Sequence, residues 1–205
     1  MKGILLLNGQ PHRGDICADG AYVVCCDGAY DWAKGRVKID ENVGDFDSLS
    51  FLPDPPPTEI YPSEKNYTDG EIGLERLLAR GCDEIDIYGG GGGREDHFLG
   101  NLHLLYRLHR AGVKGRLYAR NSVIFPASGQ TVLRGRAGDT LSVLPFGGDA
   151  HIMQSEGFKY PLDGLTLTYG SCRGISNVLR SDRARFDCDR GTVLVFLDFD
   201  EEEKG

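Results

Sequence analysis

The stretch that decides the fold of the first half of the chain is IDIYGGGGGREDHFLGNLHLLYRLHR, residues 85–110. Ile85 to Tyr88 is a short, mostly apolar run typical of a buried strand, and Asp96 to Arg110 repeats leucines at helical spacing. Between them stand five consecutive glycines, Gly89 to Gly93, followed by Arg94. A strand that passes through a glycine loop into a helix favours a mainly parallel sheet with helices packed on it.

The same alternation of strands and helices continues on the amino-terminal side of this stretch. Gly3 to Asn8 and Ala21 to Asp27 have the apolar character of strands, and Thr68 to Arg80 has helical periodicity. That helix opens with a threonine and, three residues later, a glutamate, which is the spacing of a capping box. We therefore predict an α/β domain with a Rossmann-like, mainly parallel sheet over residues 1–120.

The pattern changes on the carboxyl-terminal side, from about residue 121. Helical periodicity ends there, and short β-rich runs follow one another, separated by Gly, Pro and Asp turns. The best of these runs are Ser122 to Pro126, Thr140 to Pro145, Leu165 to Tyr169 and Thr192 to Phe199. They predict a second, all-β domain over residues 121–205, built as a sandwich or a barrel.

The composition of the chain argues against nucleic acid and membranes as partners. Its 205 residues include 31 acidic and 23 basic ones, and the resulting net charge of -8 repels a phosphate backbone. No apolar run approaches the roughly 20 residues of a membrane helix, and the start of the chain lacks the length of a signal peptide. We expect a cytoplasmic protein. Its six cysteines lack metal-site spacing, so we expect buried, reduced thiols.

The glycine loop is the first candidate binding site. Consecutive glycines let backbone N–H groups approach an anion, a helix start adds its positive end, and Arg94 can donate two hydrogen bonds to phosphate oxygens. This combination favours a polyphosphate ligand over a merely flexible connection. Neither the Walker pattern nor the G-x-G-x-x-G fingerprint with its acidic partner is present. His97, in the first helical turn, is more typical of packing or capping than of acid/base catalysis.

Four aspartates form the second candidate site. They fall at predicted strand ends, in a glycine-containing loop or at a helix start: Asp27, Asp45, Asp47 and Asp69. In an open α/β sheet, ligands bind outside the carboxyl ends of the strands. Asp45 and Asp47 stand one residue apart, so in an extended segment both side chains point to the same side. Such hard oxygen ligands suit Mg²⁺, and the alternative is an Asx-rich turn with solvated carboxylates.

These segments together resemble the thiamine pyrophosphokinase family, in the family's order, from about Leu5 to Leu197. The stretches that carry the resemblance are Asp27-Gly28-Ala29, Gly44-Asp45-Phe46-Asp47-Ser48, Tyr61 to Glu71, Gly92 to His97 with Asn101, Gly157 to Leu162, and Gly174 to Asn177. The resemblance implies a nucleotide-binding, catalytic α/β domain, a thiamine-binding β-sandwich and a homodimer with active sites between subunits. It implies transfer of a diphosphate from ATP to the thiamine hydroxyl, which gives thiamine diphosphate and AMP.

The resemblance also assigns roles to residues at matching positions. The carboxylates implied to bind Mg²⁺ are Asp45, Asp47 and Asp69, with Asp27 close by. The residues implied to contact ATP are Asp27, Gly28, Lys65, Gly91, Gly92, Gly93, Arg94 and Asp96. Thiamine is expected to contact Ser176 and Asn177 of the facing subunit. The expected catalytic residues are Arg94, Asp69 and Asp96, and one of the two aspartates accepts the hydroxyl proton.

Two departures from the family pattern bear on the choice of substrate. Ala29 stands where the family commonly has a second glycine, and Asn66 stands where it often has an aspartate. One alternative is therefore a related pyrophosphokinase that acts on another primary alcohol, such as a hydroxymethyl pterin. The other is a nucleotide- or thiamine-binding module without catalysis, which would have no need for four mutually repelling aspartates.

Overall fold

The computed structural model describes residues 1–46, 49, 51–57, 60, 61 and 66–198. Its contacts divide the chain into two units, one from Met1 to Arg120 and one that begins at Asn121. In the described residues, the first unit combines parallel strands with three helices, and the second unit is built from antiparallel strands. Within the described part of the chain, no helix is both long and apolar enough to cross a membrane.

The first unit is a parallel sheet with helices between its strands. Its elements in chain order are β1 (Lys2–Leu6), β2 (Tyr22–Cys26), α1 (Ala29–Ala33), β3 (Glu41–Val43), α2 (Asp69–Ala79), β4 (Glu84–Tyr88), α3 (Glu95–Arg110) and β5 (Lys114–Tyr118). The strands lie in the order β3-β2-β1-β4-β5, and every neighbouring pair is parallel. Leu6 lies opposite both Cys25 and Tyr88, so β1, β2 and β4 end at the same edge.

The helix starts follow the local signals in the sequence. The Thr68 hydroxyl accepts a hydrogen bond from the Glu71 amide at 3.2 Å, and the Glu71 carboxylate accepts one from the Thr68 amide at 2.9 Å. The predicted capping box is therefore confirmed, and it begins α2 one residue after Thr68. Gly73 brings α2 close to the sheet, because an added Cβ there would lie 2.6 Å from a methyl group of Leu5.

The strand in the decisive stretch, β4, carries one charged residue in a buried setting. Asp86 is 1% exposed, and its carboxylate pairs with Lys2 of β1 at 3.0 Å and with Arg116 of β5 at 3.4 Å. Two neighbouring strands thus compensate the buried charge, which would otherwise be costly. This pairing explains how an aspartate fits between Ile85 and Ile87 in the centre of the sheet.

The second unit contains antiparallel strands around an apolar core. They are β6 (Ser122–Arg134), β7 (Thr140–Pro145), β8 (Ala150–Ile152), β9 (Gln154–Glu156), β10 (Leu165–Leu167), β11 (Asn177–Val178) and β12 (Arg183–Asp198). β12 is the organising strand, since it pairs with β6, β7, β8 and β9. The core includes the fully buried side chains of Val143, Val193 and Val195 together with Phe158 and Phe186.

Several boundaries predicted for this unit were wrong. The first strand does not end at Pro126 but continues to Arg134, and the last begins at Arg183 rather than at Thr192. Proline and glycine normally break a strand, but here Gly129, at φ 63°, lies opposite Cys188 beside an irregular register in β12. The strand predicted to end at Tyr169 ends at Leu167.

The prediction for the cysteines holds in part. All six are free thiols, and four are buried within strands or against them: Cys25, Cys26, Cys82 and Cys188. Cys17 and Cys172 are exposed, so the prediction of burial was wrong for them. Both lie in connections between strands, and such connections run over the surface of a protein.

Candidate active site

A cleft of about 840 Å³ opens at the edge of the first unit where β1, β2 and β4 end. Most of the residues that line it follow a strand or open a helix, and the others lie along one face of α3. Its walls include Asn8, Gly9, Cys26, Asp27, Asp45, Thr68, Asp69, Gly89 to Arg94, Asp96, His97, Gly100, Asn101, His103 and Arg107. The cleft therefore lies outside the carboxyl ends of parallel strands, the usual ligand site of an open α/β sheet.

One wall of the cleft, the glycine wall, is the loop from Gly89 to Gly93. The Gly9 amide donates to the Gly89 carbonyl and the Gln10 amide to the Gly91 carbonyl, both at 2.8 Å. At Gly89, with φ 71°, a Cβ would lie 2.2 Å from the carbonyl oxygen of Leu7. At Gly89 the loop can therefore follow this path beside the end of β1 only without a side chain.

Arg94 and Asp96 stand at the end of the glycine wall, where α3 begins. Their side chains form a two-bond ion pair, with N–O distances of 2.6 and 3.1 Å, and both are largely exposed. The hydrogen bond from Arg94 lowers the pKa of Asp96 to about 2, and the amide of His97 adds a further bond at 2.9 Å. Asp96 is thus a stable anion and a weak proton acceptor.

The opposite wall, the aspartate wall, holds Asp27, Asp45 and Asp69, which come from three separate segments. The Asp27 amide donates to Val43 at 2.8 Å, and Asp27 has a positive φ of 44°. This brings Asp27 against Gly44, whose Cβ, if present, would lie 3.0 Å from the Cβ of Asp27. The Cys26 thiol donates to the Asp69 carbonyl at 3.3 Å and so ties the start of α2 to the end of β2.

The aspartate wall offers the oxygen donors that Mg²⁺ prefers. Among the described residues, however, no three His, Cys, Asp or Glu side chains converge closely enough to form a metal site. Asp47, the fourth predicted carboxylate, lies outside the described residues, and so does the predicted ATP ligand Lys65. The metal set therefore stays a prediction, with three of its members facing one cleft.

Several residues of the cleft have no counterpart among the sequence predictions. Asn8 lies two residues after the end of β1, so the rule on strand ends could have found it. Its side chain also explains Gly28, which packs against it: a Cβ at Gly28 would lie 2.4 Å from the Asn8 amide nitrogen. Arg107 lies on the cleft face of α3 and pairs with Glu75 of α2, a contact that local patterns do not reveal.

The two residues predicted to hold thiamine lie in the second unit. Ser176 is exposed, with φ 60°, and its amide donates to the Ser142 hydroxyl at 3.2 Å. Asn177 is 3% exposed, and its amide group exchanges hydrogen bonds with the backbone of Tyr160 at 3.0 and 2.7 Å. Asn177 thus fixes one loop against another, while Ser176 is the residue that is open to a ligand.

Comparison with known proteins gives matches over both units. The model of the thiamin pyrophosphokinase catalytic domain matches residues 14–117, and that of the thiamin pyrophosphokinase vitamin B1 binding domain matches residues 130–193. The chain is 34% identical over 168 residues to a thiamine pyrophosphokinase of Bacillus subtilis, which covers 78% of each chain.

Solved structures give the same result for the fold. A crystal structure of Bacillus subtilis thiamine pyrophosphokinase matches with a TM-score of 0.82 and 29% identity, over 97% of this chain and 99% of that one. The Candida albicans thiamin pyrophosphokinase matches with a TM-score of 0.73 and 17% identity, over 97% and 90% of the two chains, a likeness of fold alone.

Proposed function

This chain belongs to the thiamin pyrophosphokinase family of enzymes, and on that premise we propose that it transfers a diphosphate from ATP to the hydroxyl of thiamine. The products are thiamine diphosphate and AMP. The observation that carries this proposal is the cleft in which the aspartate wall faces a glycine loop and Arg94. Acidic residues for a cation and backbone amides for phosphates are the two parts that phosphoryl transfer needs.

Mg²⁺ is the proposed metal, held by Asp45, Asp47 and Asp69 with Asp27 nearby. Three of these side chains face the cleft from separate segments, and carboxylate oxygens fit the preference of this ion. When bound, Mg²⁺ neutralises charge on the phosphate oxygens. The aspartates, for their part, would repel ATP without a cation, so substrate binding and metal binding are coupled.

The phosphates of ATP are proposed to lie on the glycine wall, against Gly91 to Gly93, with Lys65 as a further contact. The start of α3, a helix of 16 residues, adds its positive end there. Arg94 is exposed, and its pair with Asp96 uses only Nε and Nη2, so its remaining N–H groups can donate to a phosphate oxygen while Asp96 holds the guanidinium. Gly100 also lines the cleft. A Cβ there would meet nothing within 4 Å, so this glycine leaves open space for a substrate on the surface of α3.

The proposed reaction is an in-line displacement. The thiamine hydroxyl oxygen forms a bond to the β-phosphorus, the bond from that phosphorus to the oxygen bridging to the α-phosphate breaks, and AMP leaves with that oxygen. Positioning and charge stabilisation supply most of the rate enhancement. Of the two candidate bases, Asp69 suits the hydroxyl proton better, because the ion pair with Arg94 makes Asp96 a weak acceptor.

The remaining parts of the proposal concern architecture and location. A Rossmann-like first unit is supported by the strand order β3-β2-β1-β4-β5, which agrees with that of doubly wound folds. A homodimer with shared active sites, built through a sandwich-like second unit, is supported by large apolar side chains exposed there, Tyr160, Tyr169 and Ile175. A cytoplasmic location fits the free thiols.

The direct test is AMP release from ATP and Mg²⁺ with thiamine as acceptor, with the product identified by mass. We expect a thiamine species heavier by one diphosphate, formed in step with AMP. AMP formed only with another alcohol, such as a hydroxymethyl pterin, would identify a related pyrophosphokinase. Binding of ATP that is unaffected by EDTA, with no AMP from any acceptor, would identify a binding module instead.

A further inference from the structure

Two arginines, one in α2 and one at its C-cap, converge on one buried glutamate of β3. Glu41 of β3 is 7% exposed, and its carboxylate lies 3.5 Å from Arg76 Nε and 3.4 Å from Arg80 Nη2. The two arginines stand one helical turn apart on the same face of α2. They make the same kind of contact with the same partner, and this makes them a matched pair.

Among the described residues, Arg76 is the one of the two arginines that continues from this glutamate to the segment that contains Asp45. Its Nη2 donates to the Tyr61 hydroxyl at 2.6 Å, and the Tyr61 amide donates to the Gly44 carbonyl at 3.1 Å. This second bond closes the segment between Gly44 and Tyr61 into a loop. Arg80 instead places its guanidinium over the ring of Tyr22, 3.8 Å from the ring centroid.

The closure point lies next to the aspartate wall. Gly44 contacts Asp27, and Asp45 follows it directly in the chain. The loop has a second anchor further along, where the Asn42 side chain donates to the Pro55 carbonyl at 2.8 Å. The backbone at Asp45 is therefore fixed from β3 on one side and, through Tyr61 and Arg76, from α2 on the other.

We propose that Arg76 is a positioning residue for metal binding, which holds Asp45 in register with Asp27 and Asp69 through Tyr61. The inference rests on the proposed function, in which these aspartates bind Mg²⁺. Asp69 lies at the start of α2, and Arg76 lies two turns later in the same helix. The position of α2 therefore fixes both Asp69 and, through Arg76, the position of Tyr61. Residues that orient metal ligands in this way control metal affinity without touching the metal.

The test compares Arg76→Gln with Arg80→Gln in the full chain. We measure Mn²⁺ binding by titration, the Mg²⁺ dependence of AMP formation, and thermal unfolding. Arg76→Gln should weaken Mn²⁺ binding about tenfold or more and raise the half-saturating Mg²⁺ concentration by a similar factor. Arg80→Gln should leave both values close to wild type, although each variant loses one ion pair to Glu41 and should unfold at a similarly reduced temperature.

Two further variants separate positioning from general stability. Tyr61→Phe keeps the pair of Arg76 with Glu41 and removes only the hydroxyl, so it should weaken Mn²⁺ binding while unfolding close to the wild-type temperature. Arg76→Lys keeps a positive charge beside Glu41 and should recover part of the metal affinity that Arg76→Gln loses. If Arg76→Gln does not fold, Arg76→Lys and Tyr61→Phe still test the inference.

The outcomes distinguish this inference from the proposed function. If the wild type forms AMP and binds Mn²⁺, but Arg76→Gln and Arg80→Gln affect binding alike, Arg76 is only a stabilising residue and the inference is overturned. Unchanged Mn²⁺ binding in Tyr61→Phe would overturn it as well. A wild type that binds no Mn²⁺ would overturn both the metal assignment and the inference.

Discussion

The glycine wall and the aspartate wall of the cleft are held in place by different means. Backbone hydrogen bonds fix the glycine wall to the segment after β1, from Gly9 to Gly89 and from Gln10 to Gly91, and the Asn101 side chain adds one bond to the Gly90 carbonyl at 2.8 Å. The aspartate wall depends also on side chains from elsewhere, Asn42 on Pro55 and Arg76 on Tyr61. The difference teaches that the glycine wall rests mainly on backbone bonds between the segment after β1 and the loop after β4, whereas the aspartate wall also depends on side chains of β3 and α2.

The largest effect is expected from the aspartate wall. Asp45→Asn removes one metal-binding charge and should lower kcat/KM by about 100- to 1000-fold, because the metal contributes several kcal/mol to transition-state stabilisation. Steady-state kinetics at saturating Mg²⁺ measures this. The control is Asp54→Asn, an exposed aspartate of the same loop that does not line the cleft. Equal activity of the two variants would remove Asp45 from the metal site.

A substitution in the glycine wall should lower stability because it disturbs backbone geometry, not because it changes charge. Gly89→Ala places a Cβ 2.2 Å from the Leu7 carbonyl at a positive φ, so we expect a loss of about 3 kcal/mol in unfolding free energy. Urea unfolding measures it. Gly81→Ala has a similar φ of 78° but open space around the new methyl, and it should cost only about 1 kcal/mol. Equal losses would show that the close approach of β1 to the loop is unimportant.

This contrast also explains what the sequence could predict. The strands, the glycine loop and the capping box of Thr68 were predictable, because each depends on residues within a few positions of one another. The pairing of Arg76 with Tyr61 joins residues 15 positions apart, and no local pattern marks it. The grouping of the aspartates near strand ends was predictable. The contacts that hold the segment around Asp45 in place, from Arg76 to Tyr61 and from Asn42 to Pro55, were not.

Two places in the second unit depart from what the local sequence indicates. The turn-forming residues at Pro126 and Gly129 predicted a strand end, yet pairing with β12 carries β6 through both of them. Asn177, which the family resemblance places against thiamine, has its amide group buried against the backbone of Tyr160. Tertiary partners overrode local preference in both places.

A smaller effect is expected at Gly100 of α3, where an added side chain should increase stability but weaken substrate binding. Gly100 lies inside this helix, and a Cβ there would meet nothing within 4 Å, so packing does not explain the glycine. Gly100→Ala should stabilise the chain by about 1 kcal/mol, the difference in helix propensity. If the bare face makes room for a substrate, the KM for ATP or thiamine should rise, and more so in Gly100→Leu. Stabilisation with unchanged KM values in both variants would show that no substrate uses this space.

The smallest effect is expected from pH at the Arg94–Asp96 pair. Arg94 lowers the pKa of Asp96 to about 2 in the folded chain, so the stability that this pair contributes is present above the unfolded pKa, near 4. It is lost only as the pH falls from there towards 2. Between pH 5 and 9 the charge of Asp96 is therefore constant, and any acid limb of kcat in that range belongs to another group.

The matching experiment is the pH profile of kcat for wild type and Asp96→Asn from pH 5 to 9. The variant should have a lower kcat but the same apparent pKa values, because Asp96 acts on the glycine wall as a fixed charge that holds Arg94. A displaced or missing acid limb in Asp96→Asn would make Asp96 the base. The proton acceptor would then lie on the glycine wall, and the aspartate wall would bind the metal without accepting the hydroxyl proton.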